Sequence, residues 1–210
     1  MSAHLDNTRP VLFTCRPGFL RFKRVFDLLV SLILVPAFLL TGLVLLIVNP
    51  FLNPGPLFFA QDRMGRGCRP FRAWKFRSML GAAEIARGPY DPAEDQRITT
   101  LGQFLRRTRL DELPQIINVL KGEMSLIGPR PDYLAHARRY LEEIPGYRER
   151  HVVRPGISGY AQITVGYAET PESVREKVAA DLWYIRNASI RLDCWIAWRT
   201  FVTVLHGLGR

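Results

Sequence analysis

The sequence predicts a helix-rich mixed α/β fold carried on an N-terminal membrane segment, and three features predict it. An uncharged run, Leu28 to Val48, would rise about 31 Å as a helix, which matches a hydrocarbon core. Two short extended patterns, Leu57–Ala60 and Phe71–Phe76, flank a Gly65-Arg66-Gly67 turn. Leu113, Ile116, Ile117 and Leu120 then recur at helical spacing between Thr108 and Gly122.

Length alone makes the apolar run a spanning helix. Its flanks disagree: Arg9, Arg16, Arg21, Lys23 and Arg24 precede it, and Arg63, Arg66, Arg69, Arg72, Lys75 and Arg77 follow. Lys and Arg beside a membrane helix favour the cytoplasmic side, and here both ends ask for it. Pro36 lies inside the run, has no amide hydrogen and crowds the carbonyl of Leu32. A re-entrant helix-break-helix bent at Pro36 therefore competes with a straight, kinked span. Ser31, one turn earlier, is positioned to give its hydroxyl to a backbone group freed by the break. A secretory signal is disfavoured, because the run exceeds the usual apolar region and Asn49-Pro50 is no small-residue cleavage site.

Around this run, residues 1–20 read as a basic N-terminal segment, and Pro50, Pro54, Gly55 and Pro56 end the helical pattern. Residues 81–96 read as a flexible loop and Leu101–Arg107 as a short helix. The next helix should begin near Thr108 or Leu110, with Pro114 in its first turn and Gly122 as its stop. That start puts Asp111 and Glu112 in the opening turn, where free amides and the helix dipole favour anions. Asp181–Ile185 belongs to a later helix. In Ile190–Leu205, Leu192, Trp195, Ile196, Trp198, Phe201 and Val202 alternate with Arg191, Asp193 and Arg199, as in an interfacial amphipathic helix or one packed on a core.

Within 210 residues, the part after Val48 suffices for one buried core, and a net charge of +10 calls for an anionic partner. The neighbouring apolar run favours a lipid surface over nucleic acid and leaves phosphates open. Cys15, Cys68 and Cys194 form no close pair, so neither a disulfide framework nor a zinc site is indicated. His4, His136, His151 and His206 share no metal-ligand spacing.

Asp111 and Glu112 follow Arg106, Arg107 and Arg109, and acids in a first turn paired with nearby arginines stabilise any helix. Pro129-Arg130-Pro131 argues for more, because two prolines hold one arginine ready for an oxyanion. Arg154-Pro155-Gly156 repeats the device, and Lys75 and Arg77 lie on a candidate strand just after the membrane segment. Carboxylates and basic groups at a membrane surface suit phosphate chemistry on a lipid carrier.

At these residues the chain resembles the bacterial sugar transferases, the monotopic polyprenyl-phosphate phosphoglycosyl transferases. The matching segments are Lys75–Met79, Asp95–Thr99, Leu110–Gln115, Asn118–Gly122, Met124–Pro131 and Pro155–Gly159. The resemblance implies transfer of a sugar 1-phosphate from a UDP-sugar donor to undecaprenyl phosphate, the first membrane step of exopolysaccharide, capsule, O-antigen or glycoprotein assembly. It implies that Asp111 attacks the β-phosphorus to form an aspartyl phosphosugar, with Glu112 as base or metal ligand. It implies Mg²⁺ held at Asp111 and Glu112, and phosphate or nucleotide binding by Arg106, Arg130 and Lys75. Two departures stand out: Val35 precedes Pro36 where relatives often carry Ser, and Thr164-Val165-Gly166-Tyr167 replaces an Asn-Gly-Arg-like segment.

With the site after the apolar run and a cytoplasmic donor, the hairpin reading prevails. The expected organisation is a monotopic protein of the bacterial inner membrane: basic residues 1–20, a re-entrant hairpin at 21–49 broken at Pro36, and a cytoplasmic catalytic domain at 50–210. Its partners are donor, acceptor and membrane lipid, with no nucleic acid and a homo-oligomer left open. The competing classes are a non-catalytic basic adaptor on anionic lipid, which would tolerate loss of Asp111, and a processive glycosyltransferase, which would release nucleoside diphosphate.

Overall fold

A computed structural model describes residues 17–81, 88, 90–91, 94–166 and 170–206. Most of the basic N-terminal segment, much of the loop expected at 81–96, and Tyr167 lie outside them.

Helix α1 (Pro17–Leu52) runs without interruption through Pro36 and Pro50. The break expected at Pro36 is therefore absent from the secondary structure. Pro36 and Leu32 both stand on the exposed side, so the ring removes one backbone bond and leaves the packed face intact. Ser31 is fully buried and its hydroxyl has no hydrogen-bond partner, so it does not serve the freed carbonyl as expected.

The α1 helix has two unlike sides. Asp27, Ser31, Leu45 and Asn49 are buried along one, and Leu29, Leu32, Ile33, Leu39, Leu40, Leu43, Leu46 and Ile47 are exposed along the other. The buried side docks on the rest of the chain at both ends. Arg24 Nη1 donates to Val119 O at 2.6 Å, and the Leu126 amide donates to Asp27 Oδ1 at 3.1 Å. Further along, Phe38 stacks on Phe76 at 5.7 Å, and just past the helix Asn53 Nδ2 donates to Arg77 O at 2.8 Å.

Strands β1 (Phe58–Met64) and β2 (Pro70–Phe76) form the expected antiparallel hairpin, with Phe58 opposite Phe76 and Met64 opposite Pro70. Pro70 closes the ladder at its end, where a missing amide costs least. Gly67 takes φ 67° in the turn, a left-handed value that suits glycine. Leu45, Phe76 and Leu105 form a small core between α1, the hairpin and α2 (Thr100–Arg107). Thr99 caps α2 by accepting from the Gly102 amide at 3.0 Å.

The segment after α2 differs from its expectation. Leu110–Glu112 is a separate 3₁₀ turn entered through Arg109 at φ 57°, and α3 (Gln115–Lys121) begins only after Pro114. Pro114 cannot donate to the Leu110 carbonyl, so the Leu113 amide does so instead at 3.2 Å and tightens the turn. Gly122 then stops α3 in the left-handed region, as expected. Its buried side includes Asn118 and Val119, which the helical spacing did not select, while Leu113, Ile117 and Leu120 are half-buried. Asn118 joins α3 to β2, accepting from the Trp74 amide at 3.2 Å and donating to Arg72 O at 2.7 Å.

Strand β3 (Ser125–Ile127) pairs in parallel with β4 (Gly156–Ser158). A Cβ on Gly156 would lie 2.1 Å from the Gly128 amide nitrogen, so only glycine lets the chains cross this closely. Helix α4 (Leu134–Glu143) packs with α6 (Pro171–Asn187) through Ala137, Tyr140, Ile144, Val174 and Val178. Between them in sequence, α5 (Tyr160–Thr164) follows β4. Helix α7 (Ile190–Leu205) buries Ile196 with Ile127, Tyr184 and Ile185, while Trp195, Trp198 and Phe201 stay exposed.

Candidate active site

The 3₁₀ turn, the end of β2 and the loop between β3 and α4 bring four sequence-selected residues together. Side-chain alternation on β2 sends Lys75 away from the face carrying Phe76 and toward the 3₁₀ turn. Lys75 Nζ lies 2.7 Å from Glu112 Oε1 and 3.7 Å from Asp111 Oδ2. Arg130 grips the same carboxylate with both terminal nitrogens, Nη1 at 3.1 Å from Oε2 and Nη2 on Oε1. Arg109 Nη1 approaches Oε2 at 3.5 Å. The acids thus face cations rather than the start of a long helix.

The two adjacent carboxylates consequently differ. Burial alone would raise Glu112, but Arg130, Lys75 and Arg109 hold it well below the usual carboxylate range. Burial, aided by the charge of Glu112, raises Asp111 against the pull of Lys75. Burial likewise lowers the Lys75 ammonium, although both acids oppose that shift. Asp111 Oδ1 is buried without a hydrogen-bond partner, whereas both oxygens of Glu112 are engaged.

The Pro-Arg-Pro loop is held from behind. Arg130 Nη1 also donates to Ile157 O at 2.9 Å, Arg63 Nη1 to Pro131 O at 3.0 Å, and Arg150 Nη2 to Arg130 O at 2.7 Å. Arg150 is buried, lies over the Tyr147 ring at 5.2 Å, and pairs with Asp132 and with Asp181 at 2.6 Å. Lys177 at 2.5 Å and Tyr147 at 2.8 Å complete the surroundings of Asp132. Burial opposes ionisation of Asp132, yet Lys177 and Arg150 outweigh it and hold the carboxyl far below its ordinary value.

Not every selected residue joins this cluster. Arg106 makes no ion pair among the described residues and acts on Asp111 only through space. Arg154, expected to repeat the Arg130 device, instead donates Nε to Gly122 O at 2.8 Å and caps α3. Arg77 is buried and ties Pro56 O at 2.8 Å and Asn53 O to the hairpin. Sequence reasoning missed Arg63 and the Asp132–Arg150–Lys177–Asp181 network. For Arg63 the usable signal was strand alternation, since it lies on the β1 end bridged to Tyr133.

Among the described residues no three His, Cys, Asp or Glu side chains gather as a metal cage. The unpartnered Oδ1 of Asp111 nevertheless fits Mg²⁺, which usually takes one or two carboxylates and completes its shell with substrate phosphates and water. Glu112 fits less well, because binding metal would cost it Lys75 or Arg130.

A family model described as bacterial sugar transferase matches residues 19–207. The chain is 43% identical over 193 residues to the UDP-N-acetylgalactosamine-undecaprenyl-phosphate N-acetylgalactosaminephosphotransferase of Aeromonas hydrophila, covering 92% of this chain and 46% of that protein. It is 43% identical over 180 residues to the UDP-glucose:undecaprenyl-phosphate glucose-1-phosphate transferase of Escherichia coli (strain K12), covering 80% and 38% respectively. It thus spans less than half the length of either. The exopolysaccharide production protein PSS of Rhizobium leguminosarum bv. phaseoli is 38% identical and matched over 94% of its own length. By this match over nearly its whole length, the chain belongs to the bacterial sugar transferase family.

Proposed function

We propose that this chain moves a sugar 1-phosphate from a UDP-sugar to undecaprenyl phosphate through a covalent intermediate on Asp111, opening glycan assembly at the cytoplasmic face of a bacterial inner membrane. The observation that carries the reading is the asymmetry of the acid pair: Glu112 is saturated by cations, and its neighbour keeps a carboxylate oxygen free. The relatives' names supply the donor and acceptor classes.

In this scheme one oxygen of the Asp111 carboxylate forms a bond to the β-phosphorus while the bond to the UMP oxygen breaks, and UMP leaves with that electron pair. A phosphate oxygen of the lipid then attacks the same phosphorus and releases Asp111 as carboxylate. Burial makes Asp111 more basic, hence a stronger nucleophile while it remains ionised. Lys75, Arg109 and Arg130 lower the repulsion between anionic nucleophile and anionic diphosphate, with Arg63 and Arg106 nearby. Mg²⁺ bound at Asp111 with the donor phosphates would neutralise further charge.

The docking of α1 supports a monotopic anchor. A straight span would carry one end of the helix about 30 Å from the domain that touches the other end. Contacts at Arg24 and Asp27, and again at Phe38 and Leu45, support an α1 that lies in one leaflet and presents its apolar side to lipid. Each such Leu or Ile left in water would forgo roughly 1.5–3 kcal/mol relative to burial. The exposed Trp195, Trp198 and Phe201 of α7 suit the headgroup boundary.

The test is to incubate purified protein with Mg²⁺ and a panel of UDP-sugars without acceptor, then measure intact mass. A sugar-phosphate adduct on the wild type and none on Asp111→Asn is expected. UMP release upon adding lipid acceptor, with no adduct from any donor, would overturn the covalent route.

A further inference from the structure

Beneath the N-terminal end of α1 lies a cavity of about 160 Å³ that none of Lys75, Asp111, Glu112 or Arg130 lines. Its cationic wall is Arg24, Arg66 and Arg154, and its apolar wall includes Phe19, Leu20 and Val152.

The cations are unequally engaged. Arg24 directs both terminal nitrogens to the last carbonyls of α3, Val119 O at 2.6 Å and Leu120 O at 3.1 Å. Arg154 gives Nε to Gly122 O at 2.8 Å, a bond that leaves its two terminal nitrogens unused. The exposed Arg66 side chain makes no hydrogen bond or ion pair among the described residues. Lys23, also at the rim, is spent on Asp193 at 2.5 Å. The cavity's one carboxylate, Asp27, already accepts from the Leu126 amide at 3.1 Å.

Guanidinium groups thus share a small space with too little negative charge, and the α3 carbonyls offset only part of the repulsion. Burial, together with the charges of Arg66 and Arg24, lowers the Arg154 guanidinium below its ordinary value, in keeping with that imbalance. The missing partner is an anion. Because the opposite wall is apolar and continues into the lipid-facing helix, the anion that fits carries a hydrocarbon chain. Phosphate is the group matched by two arginine forks.

We propose that this cavity binds the phosphate of one membrane lipid between Arg66 and Arg154, with its hydrocarbon against Phe19 and Leu20, at a site separate from the Asp111–Glu112 cluster. Two sources share this chemistry, an anionic glycerophospholipid and the polyprenyl phosphate.

Native mass spectrometry of the detergent-purified full chain distinguishes them, titrating phosphatidylglycerol, undecaprenyl phosphate, diacylglycerol and inorganic phosphate separately. One retained phosphatidylglycerol or undecaprenyl phosphate is expected, with neither diacylglycerol nor free phosphate retained. Arg66→Gln, at an exposed position, should weaken retention about tenfold with an unchanged melting curve. Arg107→Gln, an exposed cation outside the cavity, should leave it intact. An undecaprenyl phosphate that survives Arg66→Gln reports the proposed active site instead, so the two readings fail separately. Equal retention of diacylglycerol, or phosphatidylglycerol retention untouched by Arg66→Gln with no Arg66-dependent undecaprenyl phosphate, would overturn the proposal.

Discussion

Two ion networks meet at the Pro-Arg-Pro loop, and they are built for different ends. In front of it, Lys75, Arg109 and Arg130 keep 22%, 24% and 24% of their side-chain surface in solvent while converging on Glu112. Behind it, Arg150 and Asp181 keep 1% each. Solvent reaches the first set of cations and does not reach Arg150. Each network holds a carboxylate oxygen without a hydrogen-bond partner, Asp111 Oδ1 in front and Asp181 Oδ1 behind, and only the front one lies beside partly exposed cations facing the turn. The contrast separates partly exposed cations around one acid from buried ions that brace the loop behind them, although both networks are dense in Arg and acids.

Asp111→Asn should give the largest change. Loss of the nucleophile should lower turnover at least about 10⁴-fold while the protein stays folded. The folded-state value of Asp111 is raised, so its ionised form opposes folding above the ordinary carboxylate range. At neutral pH the amide should therefore melt at the same temperature or higher. A large fall in melting temperature would show that Asp111 belongs with the structural network instead.

Arg150→Met should invert that pattern. Removing one partner from a buried ion cluster costs about 3–5 kcal/mol, because Asp181 loses its paired guanidinium and Asp132 keeps Lys177 as its one paired cation. Denaturant unfolding in micelles measures it, and turnover of the remaining folded protein should fall less than in Asp111→Asn. The pH dependence of stability sharpens the point. Glu112 and Asp132 are both depressed in the folded state, so their stabilisation is complete above the ordinary carboxylate values and is lost as pH falls below about 4. Glu112→Gln should flatten part of that acid slope. It should also lower turnover about 10²-fold, read by UMP release, since the cations it holds lose their common anchor.

How much of this contrast was legible follows chain separation. The hairpin, the α2 helix, the Gly122 stop and the bounds of α7 rest on local spacing, and the structure has them as expected. The Asp111–Glu112 pair and Arg130 were legible because rare local chemistry marks them: adjacent acids beside a proline, and an arginine between prolines. Arg150 and Asp181 carry no such mark. One sits in a charged run and the other within a helix, and only the tertiary fold makes them partners. The α3 start was misplaced for a local reason, because a proline fits the first helical turn and also the residue just before it. At Pro36 the helix assignment continues, and the ring stands on the exposed side of α1.

Lys177→Met offers the smallest and most discriminating change. Lys177 keeps 16% of its side-chain surface exposed and touches Asp132, which retains Arg150 and Tyr147 when the lysine is gone. A charge-assisted bond at a partly exposed position contributes about 1.5–3 kcal/mol at most, and remaining partners reduce the loss to about 1 kcal/mol. Arg150 would still hold the Arg130 carbonyl, so the guanidinium facing Glu112 should not move. The expected result is a melting temperature lowered by a few degrees with kcat and KM unchanged. If KM for the UDP-sugar rose in step with that loss, strain in the rear network would be reaching Arg130 through the loop. The two networks would then act as a single unit, with the buried one setting how the exposed one receives phosphate.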